Sequence, residues 1–214
     1  MPTRPSFAVA LVLGACMLAS GCKGRSETEE AELPDDVPGL IEALASPNFF
    51  PPAGGYEIVY PEGFDHRAQE RVRLAEKKLR EKGFEAVPYL VEHLEDIRYS
   101  YSERFDTWHN HALGEVCFYL IEDVVDFYGC DYEVREGADG KTHEKPSYLW
   151  SICMKGEMRE WWEQRQTRPL HELRIEALQW TIAEERRIGF KDNAEEQRIM
   201  GPLLERLEEL GGWQ

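Results

Sequence analysis

The segment DTWHNHALGE, residues 106–115, holds the chain's best candidates for chemistry: His109, His111 and Glu115. Two imidazoles and a carboxylate are the ligand types of an open zinc site, and a chain that used them so would be a metal-assisted hydrolase. Their spacing argues against this. Consecutive helical residues are rotated by about 100°, so within a helix His109 and His111 stand about 200° apart and reach one ion only if the helix begins after His109. The apolar stripe Leu113, Val116, Cys117, Leu120, Ile121, Val124 and Tyr128 predicts a buried central helix from about Thr107 to Tyr128, with its start capped by Asp106. That helix would contain both histidines. His111 and Glu115, four residues apart, share a helix face and make an ordinary surface ion pair. No HExxH motif or cysteine pair occurs. The expectation is no bound metal and no cofactor, with His109, His111 and Glu115 as the metal-binding alternative.

Other reactive side chains are scattered. Glu122, Asp123 and Asp126 form an acidic cluster on the polar side of the central helix, without the glycine-bearing loop that a calcium site needs. Cys130 stands among acids that raise a thiol pKa, which makes it a poor nucleophile. His66, His93, His143 and His171 are isolated, and beyond the signal segment no serine lies in a GxSxG or SxxK context. No catalytic residue is assigned. Trp150, Met154, Met158 and Trp161 are spaced four, four and three, so on a continuous helix they line one face beside a neighbouring stripe of Leu149, Ile152 and Cys153. With Trp162 they form the candidate partner-binding ridge, since aromatic and methionine side chains make adaptable protein contacts. Trp161 is expected to lean inward and Trp162 to reach the edge.

The elements that must carry these residues have helical periods. Ala68, Val72, Ala75 and Leu79 recur among charges from Asp65 to Lys82, and Gly83 supplies a stop. A second helix follows in AVPYLVEHLEDI, opened by Pro88. VPGLIEALAS (Val37 to Ser46) and VPYLVEHLED (Val87 to Asp96) share the pattern Val-Pro-any-Leu-aliphatic-Glu-any-Leu, with a looser echo in GPLLERLEEL. Ser147 caps a helix through the tryptophans, with a kink or break at Gly156; Pro169 opens another long helix. Asn193 with Glu196 makes a capping box for the last pair, which Gly201-Pro202 divides. GCDYEVREGADGKTHEKP is a polar connection with a turn at Asp139-Gly140. Only Tyr56 to Tyr60 alternates like a strand, and one strand cannot make a sheet. The fold class is all-α, with a single helical domain over residues 36–214.

The pair Asp65 to Lys82 and Ala86 to Ile97, a charged amphipathic helix followed by a VPxLxxxL helix, resembles one repeat of the HEAT type. The resemblance implies a stack of antiparallel helix pairs, an irregular α superhelix, of the kind that binds other macromolecules.

At the start, MPTRPS and the apolar run Phe7 to Ala19 have the build and length of an export signal, too short to span a bilayer. The small residues before Cys22 resemble the end of a bacterial lipoprotein signal peptide, residues 1–21. The resemblance implies lipidation of Cys22 and, with Lys23 next, placement at the outer membrane facing the periplasm. Residues 22–35 are acidic and without apolar period, and so form a flexible tether. Loss of residues 1–21, whose only charged side chain is Arg4, takes the net charge from -16 to -17, which repels nucleic acid and anionic lipid alike. Cys117, Cys130 and Cys153 then remain, as one disulfide and a free thiol or as three thiols. The whole resembles uncharacterised bacterial helical-repeat lipoproteins, and the function expected is non-enzymatic binding of a protein partner.

Overall fold

The structure, a computed structural model, describes residues 33–52, 57–104, 108–126 and 132–211. The signal segment, Cys22, most of the tether and Cys130 lie outside the described residues. The Asp36 carboxylate accepts a hydrogen bond from the Gly39 amide at 2.8 Å, and Pro38 occupies the first turn, where a missing N–H is harmless. These start α1, Val37–Glu42. Asp65 likewise accepts from the Arg67 and Ala68 amides and starts α2, His66–Lys82, which buries Val72, Ala75 and Leu79; Gly83, at φ 56°, ends it. A 3-10 turn then leads into α3, Val87–Glu92. The sequence echo is a burial echo as well. Val37, Leu40 and Ile41 of α1 and Val87, Leu90 and Val91 of α3 occupy matching positions, and all six are buried. Both helices stop at six residues, shorter than the motif predicts.

The central helix corrects the sequence expectation at its start. Trp108–Ala112 is strand β2, paired antiparallel with β1, Tyr99–Arg104, and α4 runs only from Leu113 to Val125. The backbone groups that helix formation would have satisfied are taken instead by the cross-strand ladder, a non-local pairing that helical periodicity does not register. A second hairpin joins β3, Val134–Glu136, to β4, Thr142–Glu144, around the expected Gly140 turn at φ 71°. With 57% of the described residues in helix and 10% in strand, the fold is mostly helical with two small sheets, and the all-α description is corrected to that extent. The strand candidate near Tyr60 is unpaired: residues 57–60 lie in the loop between α1 and α2, and Tyr56 is outside the described residues.

Ser147 caps α5, Tyr148–Cys153, by accepting from the Trp150 amide at 3.1 Å. Gly156, at φ 75°, ends the turn that separates α5 from α6, Met158–Glu163, so the candidate ridge is split between two helices. The long α7, Leu170–Ile188, follows, and α8, Asn193–Glu209, closes the fold. Here Asp192 is the cap in place of Asn193, and Pro202 lies inside a continuous helix in place of dividing two. Ile199, Met200, Leu203 and Leu207 form one buried stripe across the proline, and that packing carries the helix through it. The main core gathers α1 to α7; a smaller cluster lies between α7 and α8. Among the described residues no helix is long and apolar enough to cross a membrane.

The junction of α4 and α5 contains a titrating group. The Ser147 hydroxyl lies 2.6 Å from Glu122 Oε1 and 3.2 Å from Asp126 Oδ2, and Asp126 also accepts from the Leu149 amide. Burial, reinforced by the nearby Glu122 carboxylate, pushes the Asp126 carboxyl from 3.8 up to about 6. Because folding raises this pKa, the neutral acid is favoured in the folded state. Its contribution to stability is fully present below the unfolded value and is lost as pH rises through about 6. Asp126→Asn, neutral throughout and still able to accept from Leu149, is expected to remove this dependence. Between pH 5 and pH 7.5 the wild type should lose about 1.4 kcal/mol that the variant keeps, measured by denaturant unfolding at both pH values.

Candidate functional site

The β1–β2 register places Tyr101 opposite His111 and Glu103 opposite His109. Opposed residues share a face of the ribbon, and so do residues two apart on one strand, so both histidines stand on one side. The geometric condition that helical spacing imposed on His109 and His111 is therefore met: α4 begins after both. The foot of the hairpin is locked to α4 by the amides of Leu113 and Gly114, which donate to the carbonyls of Arg98 at 2.8 Å and Asp96 at 2.9 Å. Gly114 permits this approach, because a Cβ there would lie 2.2 Å from the Leu94 carbonyl oxygen. One residue further on, Glu115 turns back and accepts from the Ala112 amide at 2.8 Å, half of a capping box.

Three donors converge as a result. His109 Nε2 is 3.5 Å from Glu115 Oε1, and His111 Nδ1 is 3.9 Å from Glu115 Oε2. The two imidazole rings meet edge to face at 4.8 Å between centroids. His111 is only 3% exposed, walled by Tyr101 at 5.0 Å and Tyr119 at 5.6 Å, and neither of its ring nitrogens has a hydrogen-bond partner. Burial, with His109 next to it, holds its pKa below the usual histidine value, so the ring is neutral with a lone pair available. His109 and Glu115 are about half exposed. Beyond Tyr101, Arg73 stacks on its ring at 3.6 Å and lies 3.8 Å from Glu103.

The remaining candidates resolve into structural roles. Asp123 pairs with Arg80, and Glu122 and Asp126 are joined through Ser147, so the acidic cluster is divided among separate partners. His93 Nδ1 donates to the Tyr89 carbonyl at 2.8 Å, His143 pairs with Asp139 at 2.9 Å, and His66 packs on Tyr60 and Phe64. Cys117 and Cys153 are free thiols, and burial pushes Cys117 up to about 12, which leaves it inert at neutral pH.

Of the partner-binding ridge, Met158, Trp161 and Trp162 are core residues. Trp162, expected at the edge, is buried edge-on against Phe84 at 5.9 Å. The break at Gly156 turns α6 inward and leaves Trp150 and Met154 outside, 47% and 69% exposed. Trp150 meets Phe118 at 5.6 Å, Phe118 meets Tyr119 at 5.9 Å, and Tyr119 meets His111, so the exposed pair and the histidine cluster end one continuous aromatic strip. Helical spacing alone did not select Tyr101, Glu103 or Tyr119 for this neighbourhood; the Tyr-Ser-Tyr-Ser alternation of residues 99–102 was the available signal, a strand period. Comparison of the chain with protein families, with curated proteins and with solved structures returns no match.

Proposed function

We propose that this chain is a non-enzymatic helical module that binds a protein partner in the bacterial periplasm, tethered to the outer membrane through lipidated Cys22. In this reading α2 and α3 form a HEAT-like helix pair within an irregular α superhelix. The tether rests on the signal-like run that ends at Cys22. The observation that carries the binding role is the pair Trp150, on α5, and Met154, at its C-terminal cap, left exposed while Tyr148 and Leu149 of the helix are buried. Large exposed apolar side chains flanked by polar surface mark protein contacts, and an aromatic with a neighbouring methionine is a common anchor. The net charge of -17 that this reading gives the chain from Cys22 onward, -16 less the Arg4 charge, favours a partner with a cationic rim around its apolar contact.

Affinity capture from crosslinked membranes tests this. Met154→Ala should leave stability within about 0.5 kcal/mol, because its side chain is exposed, and Trp150→Ala should cost on the order of 1 kcal/mol through its edge contact with Phe118, yet Trp150→Ala should weaken recovery of the co-purifying protein at least about tenfold. Undiminished recovery with both variants would remove α5 as the contact surface.

A further inference from the structure

We propose that His109, His111 and Glu115 form a binding site for a divalent transition-metal ion of the zinc class, with a remaining coordination position open to solvent. The inference does not rest on the partner-binding role.

The first argument is the state of His111. A buried imidazole with both nitrogens unpaired forfeits two hydrogen-bonding opportunities, a loss that desolvation makes unfavourable in the interior. Buried polar groups are otherwise satisfied almost without exception, and a ligand bond from Nδ1 to an ion supplies a missing partner. The nitrogen that lies toward Glu115 is that same Nδ1.

The second argument is convergence. Around a tetrahedral ion with bonds of about 2.0–2.2 Å, ligand atoms stand roughly 3.4 Å apart. His109 Nε2 lies 3.5 Å from Glu115 Oε1 and His111 Nδ1 lies 3.9 Å from the other carboxylate oxygen, Oε2. One donor atom from each of the three residues lies within 4.8 Å of the others, so side-chain rotations bring the set to bonding separation. The supports are fixed. Both histidines are held by the strand register, and Glu115 by its bond to the Ala112 amide, which uses Oε2 and leaves Oε1 toward His109. Such outer contacts orient ligands before an ion arrives.

The third argument is donor chemistry. Two nitrogens and one carboxylate oxygen, without thiolate, suit zinc and neighbouring first-row divalent ions. All-oxygen sites select calcium and magnesium, and sulfur sites select copper(I). His109 and Glu115 face solvent, so a water molecule or a donor from another molecule completes the sphere.

The test uses the tag-free full-length chain in detergent, stripped with chelator and titrated with zinc against a chromogenic competitor. One zinc per chain is expected, together with a rise in melting temperature. The same preparation loaded with cobalt(II) should show the intense visible bands of a tetrahedral centre. His111→Ala removes a buried ring and risks unfolding, so the decisive variants are the exposed ligands. His109→Ala and Glu115→Gln should each weaken zinc at least about 100-fold, because loss of a direct ligand exceeds the 10–100-fold effect of losing an outer contact, while circular dichroism stays unchanged. Zinc retained after alkylation of the accessible thiols supports the assignment. Absence of stoichiometric binding, binding abolished by alkylation, or wild-type affinity in both variants would overturn it.

Discussion

Glu185→Ala is expected to destabilise the protein by about 3 to 5 kcal/mol, the effect of stranding one partner of a buried ion pair. The Glu185 side chain is fully buried on α7, and Arg135 reaches it from β3, with Nη2 donating to Oε2 at 2.7 Å. Arg135 Nη1 donates to the Gly189 carbonyl at 2.7 Å, the guanidinium lies over Phe190 at 5.2 Å, and Tyr132 donates to the other Glu185 oxygen. Removal of the carboxylate leaves a guanidinium charge in an interior where the ion's solvation is not replaced. The Arg135 Nε already lacks a partner, so little spare hydrogen bonding is left to absorb the loss. The β3–β4 hairpin should detach from the end of α7. Joint replacement by Arg135→Met and Glu185→Leu should recover most of the stability, since apolar substitutes need no compensation. Denaturant unfolding of the two variants checks this. A shift below about 1 kcal/mol for Glu185→Ala would show that solvent reaches the pair.

Trp161→Ala should have a comparable effect, about 3 to 5 kcal/mol, for a different reason. Its ring is 4% exposed, meets Tyr148 edge to face at 6.5 Å and Trp162 at 6.2 Å, and carries the Arg165 guanidinium at 5.7 Å over its face. The indole Nε1 also donates to the Tyr148 hydroxyl at 3.1 Å. Truncation leaves a cavity between α5 and α6 that the surrounding helices cannot fill, and it removes the bond that joins the two helices. Met154→Ala, across the break and exposed, is the matched control and should move the melting midpoint little. Similar small shifts in both would mean that α6 does not seal the core. Trp162→Ala should behave like Trp161→Ala, because Trp162 packs on Phe84 and not at the rim.

These two sites differ in how far they could be read from the chain. Trp161 was expected inward and is buried, but the stripe of Leu149, Ile152 and Cys153 that suggested it lies on α5, across the Gly156 break, and the same reading placed Trp162 at the edge, where it is not. The Arg135–Glu185 pair was not legible at all. Fifty residues separate the partners, one on a three-residue strand and one on a helix face, and nothing in either segment selects the other.

The amino-acid sequence by itself determined the long elements. The 3.6-residue apolar period, the caps Asp65 and Ser147, and the glycine stops define α2, α5 and α7 closely, since each signal acts within one or two turns of backbone. The repeated Val-Pro-any-Leu pattern falls on matching buried positions of α1 and α3, although both helices are shorter than the pattern and Ile97, just past the second copy, is 90% exposed. What only the tertiary structure decided are the pairings between distant segments. Trp108 to Ala112 continue the approach to a strongly helical stripe, and local propensity extends the helix over them; their amides and carbonyls belong instead to a ladder with Tyr99 to Arg104. That one substitution of strand for helix turns His109 and His111 from opposite faces to the same face and brings Glu115 beneath them. The break at Gly156 similarly divides one apparent ridge into a core tryptophan pair and an exposed Trp150–Met154 edge. In both places the deciding term is burial against non-local neighbours, a quantity that depends on where other elements pack and that local spacing does not contain.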